Sequence, residues 1–232
     1  MGSIPTSPAE REGAAWPSGN RIGCWQCGAE HTASLFCPSC EAIQLLPEKA
    51  DYFQVFGLPR RLVIDVEALQ KRYYELQRRV HPDRYQTAAP PARQASLRNT
   101  ATLNCAYSML RDPVDRGLYW LALHGESLGT NNNRVPPELA DLVFEVQEKL
   151  EEFRTAQRGN GAAALLAADV RDAHMALLER RATLLEQLES NFAAWDSETA
   201  DVAALRGALK SILSDLAYLG TLIRDVEKEL ER

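Results

Sequence analysis

The chain has 232 residues, long enough for one or two domains with a real hydrophobic core. Its 26 basic side chains stand against 32 acidic ones, which disfavours a uniformly basic nucleic-acid binder. No apolar run reaches the roughly 18 residues of a membrane span. The charge is unevenly spread: residues 138–232 hold 11 basic and 19 acidic side chains, net −8, and the residues before them hold 15 and 13, net +2. Two parts of opposite tendency are expected to meet different partners.

Residues 1–20 have no apolar core for a secretory signal and read as a disordered tail of Pro, Ser, Gly and Ala. With Arg11 and Arg21 as the nearby basic residues, and Glu10 and Glu12 among them, the tail makes a poor transit peptide. A soluble, cytoplasmic protein is the expectation, with the mitochondrial matrix as the alternative. Residues 21–44 contain two CxxC knuckles, Cys24-Trp25-Gln26-Cys27 and Cys37-Pro38-Ser39-Cys40. Each knuckle offers two thiolates to one tetrahedral ion, so Cys24, Cys27, Cys37 and Cys40 predict a structural zinc site. So short a segment cannot bury enough apolar surface to fold alone, and the metal would supply its folding free energy. Iron in a rubredoxin-like site is the competitor, because sulfur ligands accept both metals. Disulfides are disfavoured without a secretion signal, and a redox pair would need a βαβ context. Trp25 and Phe36 are expected over the knuckles, and His31 as a solvated loop residue.

A short helix is expected over 50–57, with Tyr52, Val55 and Phe56 inward and Gly57 as its stop. From Val66 to Val80, Leu69, Tyr73, Leu76 and Val80 recur at helical spacing, with Asp65 as N-cap. Lys71, Arg72, Arg78 and Arg79 form a cationic stripe on the other faces. Pro82 disfavours helical geometry at His81 and stops the helix at His81-Pro82-Asp83. The next helix, 92–111, is expected to pack Leu97, Leu103, Tyr107 and Leu110 toward Tyr73 and Leu76, with Cys105 as a buried small residue. Asp112-Pro113 opens a helix over 114–124, and residues 126–135, with Gly129 and three asparagines, read as a linker.

Residues 136–232 are wholly helical in pattern. One helix carries Leu139, Leu142, Val143, Val146, Leu150 and Phe153 and ends at Gly159-Asn160-Gly161. A second spans 162–195, and a third, capped by Ser197, carries Leu205, Leu209, Ile212, Leu216, Leu219, Ile223, Val226 and Leu230. Short turns between three such helices predict an antiparallel bundle. The fold class is therefore all-α: a helical hairpin and a three-helix bundle behind a small zinc-knuckle module.

Residues 51–58, the helix to Val80, His81-Pro82-Asp83-Arg84 and Asn104–Leu110 together resemble a J domain, assigned to 50–125. The segment Asp112–Gly125 and the acidic C-terminal bundle resemble the HscB family of co-chaperones of iron–sulfur cluster assembly, in its variant with an added zinc module. This resemblance implies a non-enzyme that stimulates the ATPase of a DnaK/HscA-type chaperone. His81, Pro82, Asp83, Lys71, Arg72, Arg78 and Arg79 would contact that chaperone. It also implies an IscU-like scaffold held by Phe144, Glu145, Glu148, Glu152, Tyr218 and Leu222. Phe144 and Tyr218 lie off the core stripes, and an apolar residue ringed by carboxylates suits a partner hot spot. Ala140 and Asp141 stand where related sequences often carry larger apolar residues. A monomer or weak homodimer, with no nucleic acid and no membrane, completes the expectation. The rival reading, a zinc-dependent nucleic-acid adaptor, has almost no basic residues around the cysteines to support it. An enzyme is weaker still, because a four-thiolate zinc has no open position.

Overall fold

A computed structural model describes residues 21–129, 135–158, 163–197 and 201–231. The expected tail at 1–20, the turn at Gly159-Asn160-Gly161 and the asparagine run of the linker lie outside the described residues. Among the described residues the fold is seven α-helices and one two-stranded antiparallel sheet. Packing divides the chain into two compact units, 1–116 and 117–232.

In the first unit, β1 (Arg21–Gly23) and β2 (Glu30–Thr32) pair with Ile22 opposite His31. α1 (Tyr52–Val55) starts at Asp51, whose carboxylate accepts from the Phe53 N–H at 3.1 Å, and Gly57 follows at φ +69°. The helix is shorter than expected, and it buries Phe53 where Tyr52 was expected, together with Val55 and Phe56. α2 (Val66–Val80) has the expected bounds; the Asp65 side chain accepts from the Ala68 N–H at 2.9 Å. α3 (Pro90–Arg111) begins with two prolines, whose missing N–H groups would lack helical partners there anyway.

The α2–α3 contact is made by Leu69, Leu76 and Val80 against Leu103, Ala106 and Leu110, all buried, with Tyr73 stacked on Tyr107 at 4.2 Å. Two expectations fail on α3: Leu97 is 62% exposed and Cys105 is exposed. The helix instead buries small and polar residues, Ala92, Ala95, Ser96 and Asn99. Ser96 Oγ donates to the Val80 carbonyl at 2.6 Å, closing the end of α2. The Asn99 amide donates to the Gln44 carbonyl at 2.6 Å and its oxygen accepts from the Leu46 N–H at 3.1 Å. That bidentate contact ties the segment behind the cysteines to the helical hairpin.

α4 (Pro113–Leu123) is capped by Asp112, which accepts from the N–H groups of Val114 and Asp115 at 2.8 and 3.0 Å. The unit boundary falls inside α4, between Arg116 and Gly117, whereas the glycine and asparagine pattern marks 126–135.

In the second unit, α6 (Ala163–Trp195) packs against both α5 (Ala140–Arg158) and α7 (Val202–Leu230). Asn191 donates to the Leu205 carbonyl near one end and His174 faces Glu227 near the other, so α6 and α7 run antiparallel. Arg154 meets Glu229 at 3.0 Å, linking α5 to α7. Trp120 contacts Trp195 edge-on at 5.9 Å, and Glu126 pairs with Arg206 at 3.2 Å and with Lys210. The cap of α7 is Asp201, accepting from Ala203 and Ala204 N–H groups; Ser197 instead donates to the Ala194 carbonyl at the end of α6.

Candidate functional site

Three places carry chemistry. At the end of α2 the chain turns through His81 into a short 3-10 helix, Pro82–Tyr85. Three contacts hold this corner without Asp83. Arg84 Nη1 donates to the Arg78 carbonyl at 3.3 Å, Tyr85 Oη donates to the Arg79 carbonyl at 3.1 Å, and the Arg84 N–H donates to the His81 carbonyl at 3.0 Å. These bonds satisfy carbonyls that the end of a helix leaves open. His81 Nδ1 accepts from the Asp83 N–H at 3.3 Å, so the imidazole caps the turn. His81 and Asp83 are exposed, with the Asp83 side chain 74% open to solvent.

Lys71, Arg72, Arg78 and Arg79 are likewise exposed, but not equivalent. Arg72 pairs with Glu75 at 3.3 Å and Arg78 donates to the Tyr74 carbonyl at 3.2 Å. The Arg79 guanidinium sits 4.0 Å above the Phe36 ring. The aromatic expected over the knuckles thus holds one arginine of the stripe.

Cys24, Cys27, Cys37 and Cys40 bring their sulfurs within 4.8 Å of one another. Cys24–Cys40 and Cys27–Cys37 separations are 3.6 and 3.8 Å. Ligands about 2.3 Å from a tetrahedral zinc stand about 3.8 Å apart, so the four sulfurs fit such an ion. The two knuckles repeat one backbone pattern: Gly28 N–H to the Cys24 carbonyl and Glu41 N–H to the Cys37 carbonyl, both 2.9 Å.

N–H groups also point at the sulfurs, from Gln26 and Cys27 to Cys24 and from Ser39 to Cys37. Burial pushes the Cys24 thiol up, yet the Cys27 and Gln26 N–H groups bring it down to about 6. For Cys40 the Ala42 N–H favours the thiolate, but burial and the three neighbouring sulfurs push it up to about 12. Four adjacent thiolates repel one another, and a divalent cation among them removes the conflict.

Gly28 and Glu41 occupy matching positions at φ +73° and +59°. A side chain in that left-handed region costs on the order of 1 kcal/mol relative to glycine. Glu41→Gly is therefore expected to raise the thermal unfolding midpoint of the metal-loaded chain; an unchanged or lower midpoint would show that the second knuckle stores no such strain.

His31 is buried in β2, not solvated as expected, with Nδ1 2.8 Å from the Thr32 carbonyl, and it is not one of the clustered ligands. Trp25 stays 39% exposed, its Nε1 donating to the Ile43 carbonyl at 2.7 Å.

In the second unit, Phe144 is 72% exposed on α5. Phe144, Glu148 and Glu152 border an open apolar depression that Leu166 of α6 also lines. Glu145 is exposed but neutralised by Lys149 at 2.6 Å. Tyr218 is half-buried on α7 and is not part of that depression. Leu222 is 4% exposed, so it belongs to the bundle core and offers no surface.

No family model matches the sequence. The iron-sulfur cluster co-chaperone protein HscB homolog of Arabidopsis thaliana is 31% identical over 140 residues, covering 60% of this chain and 55% of the relative. The human iron-sulfur cluster co-chaperone protein HscB is 32% identical over 150 residues, covering 62% and 64%. The crystal structure of human HscB superposes with a TM-score of 0.67 at 26% identity, over 89% of this chain and 98% of that one. The chain is similar to these HscB co-chaperones in both sequence and fold. Chaperone HscB from Vibrio cholerae also matches, with a TM-score of 0.57 at 26% identity over 77% of this chain and 96% of that one. The chain spans less than two thirds of the two curated HscB relatives' lengths.

Within this HscB-like fold the sequence missed Asn99 and the placement of Arg79. Their partners lie 53, 55 and 43 residues away along the chain, beyond the reach of any local pattern.

Proposed function

We propose that the chain is a co-chaperone of iron–sulfur cluster assembly. Its first unit engages a DnaK/HscA-type ATPase through His81-Pro82-Asp83 and the cationic face of α2. Its second unit binds an IscU-like scaffold through the carboxylate-bordered Phe144. The reading rests chiefly on the exposure of the tip: Asp83 projects into solvent from a corner that other residues hold in place. A protein that binds the hydrolysis-competent conformer of an ATPase more tightly than the resting one shifts its population, accelerating hydrolysis while contributing no catalytic group. The chain itself is then not an enzyme.

Joining the ATPase and scaffold contacts in one chain raises the effective concentration of scaffold at the chaperone. Zinc is the metal proposed for the four sulfurs, since a closed four-thiolate set suits a structural site. No described helix is long and apolar enough to cross a membrane. The cytoplasm, or alternatively the mitochondrial matrix, is the proposed location.

The scaffold surface is tested with Phe144→Ala and Tyr218→Ala together. Phe144 is expected to carry most of the effect, because Tyr218 lies outside the depression. Loss of an exposed aromatic hot spot should weaken binding of an IscU-like scaffold by at least about tenfold in calorimetry, while ATPase stimulation measured without scaffold stays at the wild-type level. Equal scaffold affinity before and after the change removes the proposed surface.

A further inference from the structure

The cysteine module and the α1–α2 corner, both within the first unit, enclose a cleft of about 340 Å³. Its floor is apolar, made by the buried side chains of Leu35, Leu46, Val55 and Leu76. Its rim carries Arg72 and Arg79. Of the two acids in the lining, Asp51 is bound to Arg60 at 2.5 Å, and Glu41 stands exposed on the second knuckle.

Arg79 is the unusual member. Its guanidinium lies over the Phe36 ring, and among the described residues no carboxylate pairs with it. An aromatic face holds the cation in position while leaving in-plane N–H groups to meet a carboxylate in a forked geometry. Such a group is oriented before anything binds, so less side-chain freedom is lost on association.

We propose that this cleft is a docking site for an acidic peptide segment of a partner protein, in which carboxylate and aliphatic side chains alternate. Arg79 receives a carboxylate and the floor receives the neighbouring aliphatic side chain. A small inorganic anion would leave the floor wet, and a purely apolar ligand would leave a desolvated guanidinium unpaired. One segment with both features satisfies both halves of the cleft. The site goes beyond the role proposed for the cationic face of α2, because one wall is the second knuckle, with Cys37, Pro38 and Glu41.

The test uses the full metal-loaded chain and a fluorescein-labelled hexapeptide of alternating Leu and Asp, read by anisotropy. Saturable binding is expected, weakened at least about tenfold by Arg79→Lys, which keeps the charge but loses the planar fork. A similar loss is expected for Phe36→Leu, which keeps the apolar bulk but removes the aromatic face. The matching Leu-Lys hexapeptide should not bind. Should Phe36→Leu fail to fold, Arg79→Lys, at an exposed position, carries the test alone. Absence of saturation, equal affinity in Arg79→Lys, or equal binding of the Leu-Lys peptide overturns the proposal. So does binding of phosphatidylserine vesicles with the same dependence on Arg79, which would make the ligand a lipid surface. ATPase stimulation does not enter this readout, so its failure leaves the co-chaperone reading standing.

Discussion

Asp83→Ala is expected to fold normally, bind the scaffold as the parent does, and lose at least about tenfold of its stimulation of a DnaK-type ATPase. The stability half of this expectation follows from the contacts. The Asp83 carboxylate is 74% exposed; its neighbours are Gln86 Nε2 at 3.4 Å and the His81 ring at 3.5 Å, both at the surface. Pro82 in the first turn, Arg84 bound to the Arg78 carbonyl and Tyr85 bound to the Arg79 carbonyl keep the corner in shape. Exposed contacts of this kind are usually worth within about 0.5 kcal/mol, so the melting midpoint should hardly move.

The functional half follows from the same geometry. A carboxylate whose contacts within its own chain are long and exposed, at the end of a helix bearing Lys71, Arg72 and Arg78, breaks the local sign of charge at a solvent-facing corner. A cationic group on a partner would meet this anion there. Coupling between two bound states typically amounts to about 1–3 kcal/mol, and removing the charge removes most of it. Circular dichroism, scaffold calorimetry and single-turnover ATP hydrolysis separate the three quantities. Full stimulation by Asp83→Ala would remove the carboxylate from the proposed contact.

What the sequence made legible, and what it hid, divides along physical lines. α2 was readable to the residue because one buried stripe, one N-cap and one proline all act within the helix itself. α3 was not, since its contacts rely on close approach of Ala92, Ala95 and Ser96, and hydropathy gives such residues little weight. Leu97 and Cys105, the apolar choices by pattern, therefore face solvent.

On α7 the pattern named one stripe, but the helix buries a wider face. A Cβ built on Gly117 of α4 would lie 3.2 Å from the Leu213 side chain, so α4 comes close to α7 on a flank that α6 does not cover alone. That second neighbour covers Leu213; Leu222, nine residues further along α7, is also buried, so it is core and not surface. The four cysteines were legible because a ligand set is written in spacing. The alternation across β2 that buries His31 is only three residues long, too short to be recognised before the fold is known.

Removing the metal, by a strong chelator or by Cys37→Ser, is expected to unfold residues 21–46 and to destabilise the helical hairpin behind them. The module has little else to hold it: Leu35, Ile43 and Leu46 are its buried aliphatic side chains, beside Cys24 at 4% and Cys37 at 0% exposure. Binding of a structural zinc by four thiolates contributes on the order of 10 kcal/mol, far more than so small a core.

The effect then passes to α3 through Asn99, which is fully buried and spends both halves of its amide on the Gln44 carbonyl and the Leu46 N–H. Once that segment leaves, the amide either hydrates or stays unsatisfied, at a cost of about 1–3 kcal/mol. Arg79 loses its aromatic support in the same step. The melting midpoint of the first unit should fall by several degrees, and Trp25 fluorescence should shift red as its bond to the Ile43 carbonyl is released. Asn99→Ala in the metal-loaded chain should reproduce the fall in melting midpoint without the change at Trp25, isolating the route from sulfur cluster to hairpin. If chelation moves neither signal, the four sulfurs hold no structural ion and the module stands on its own packing.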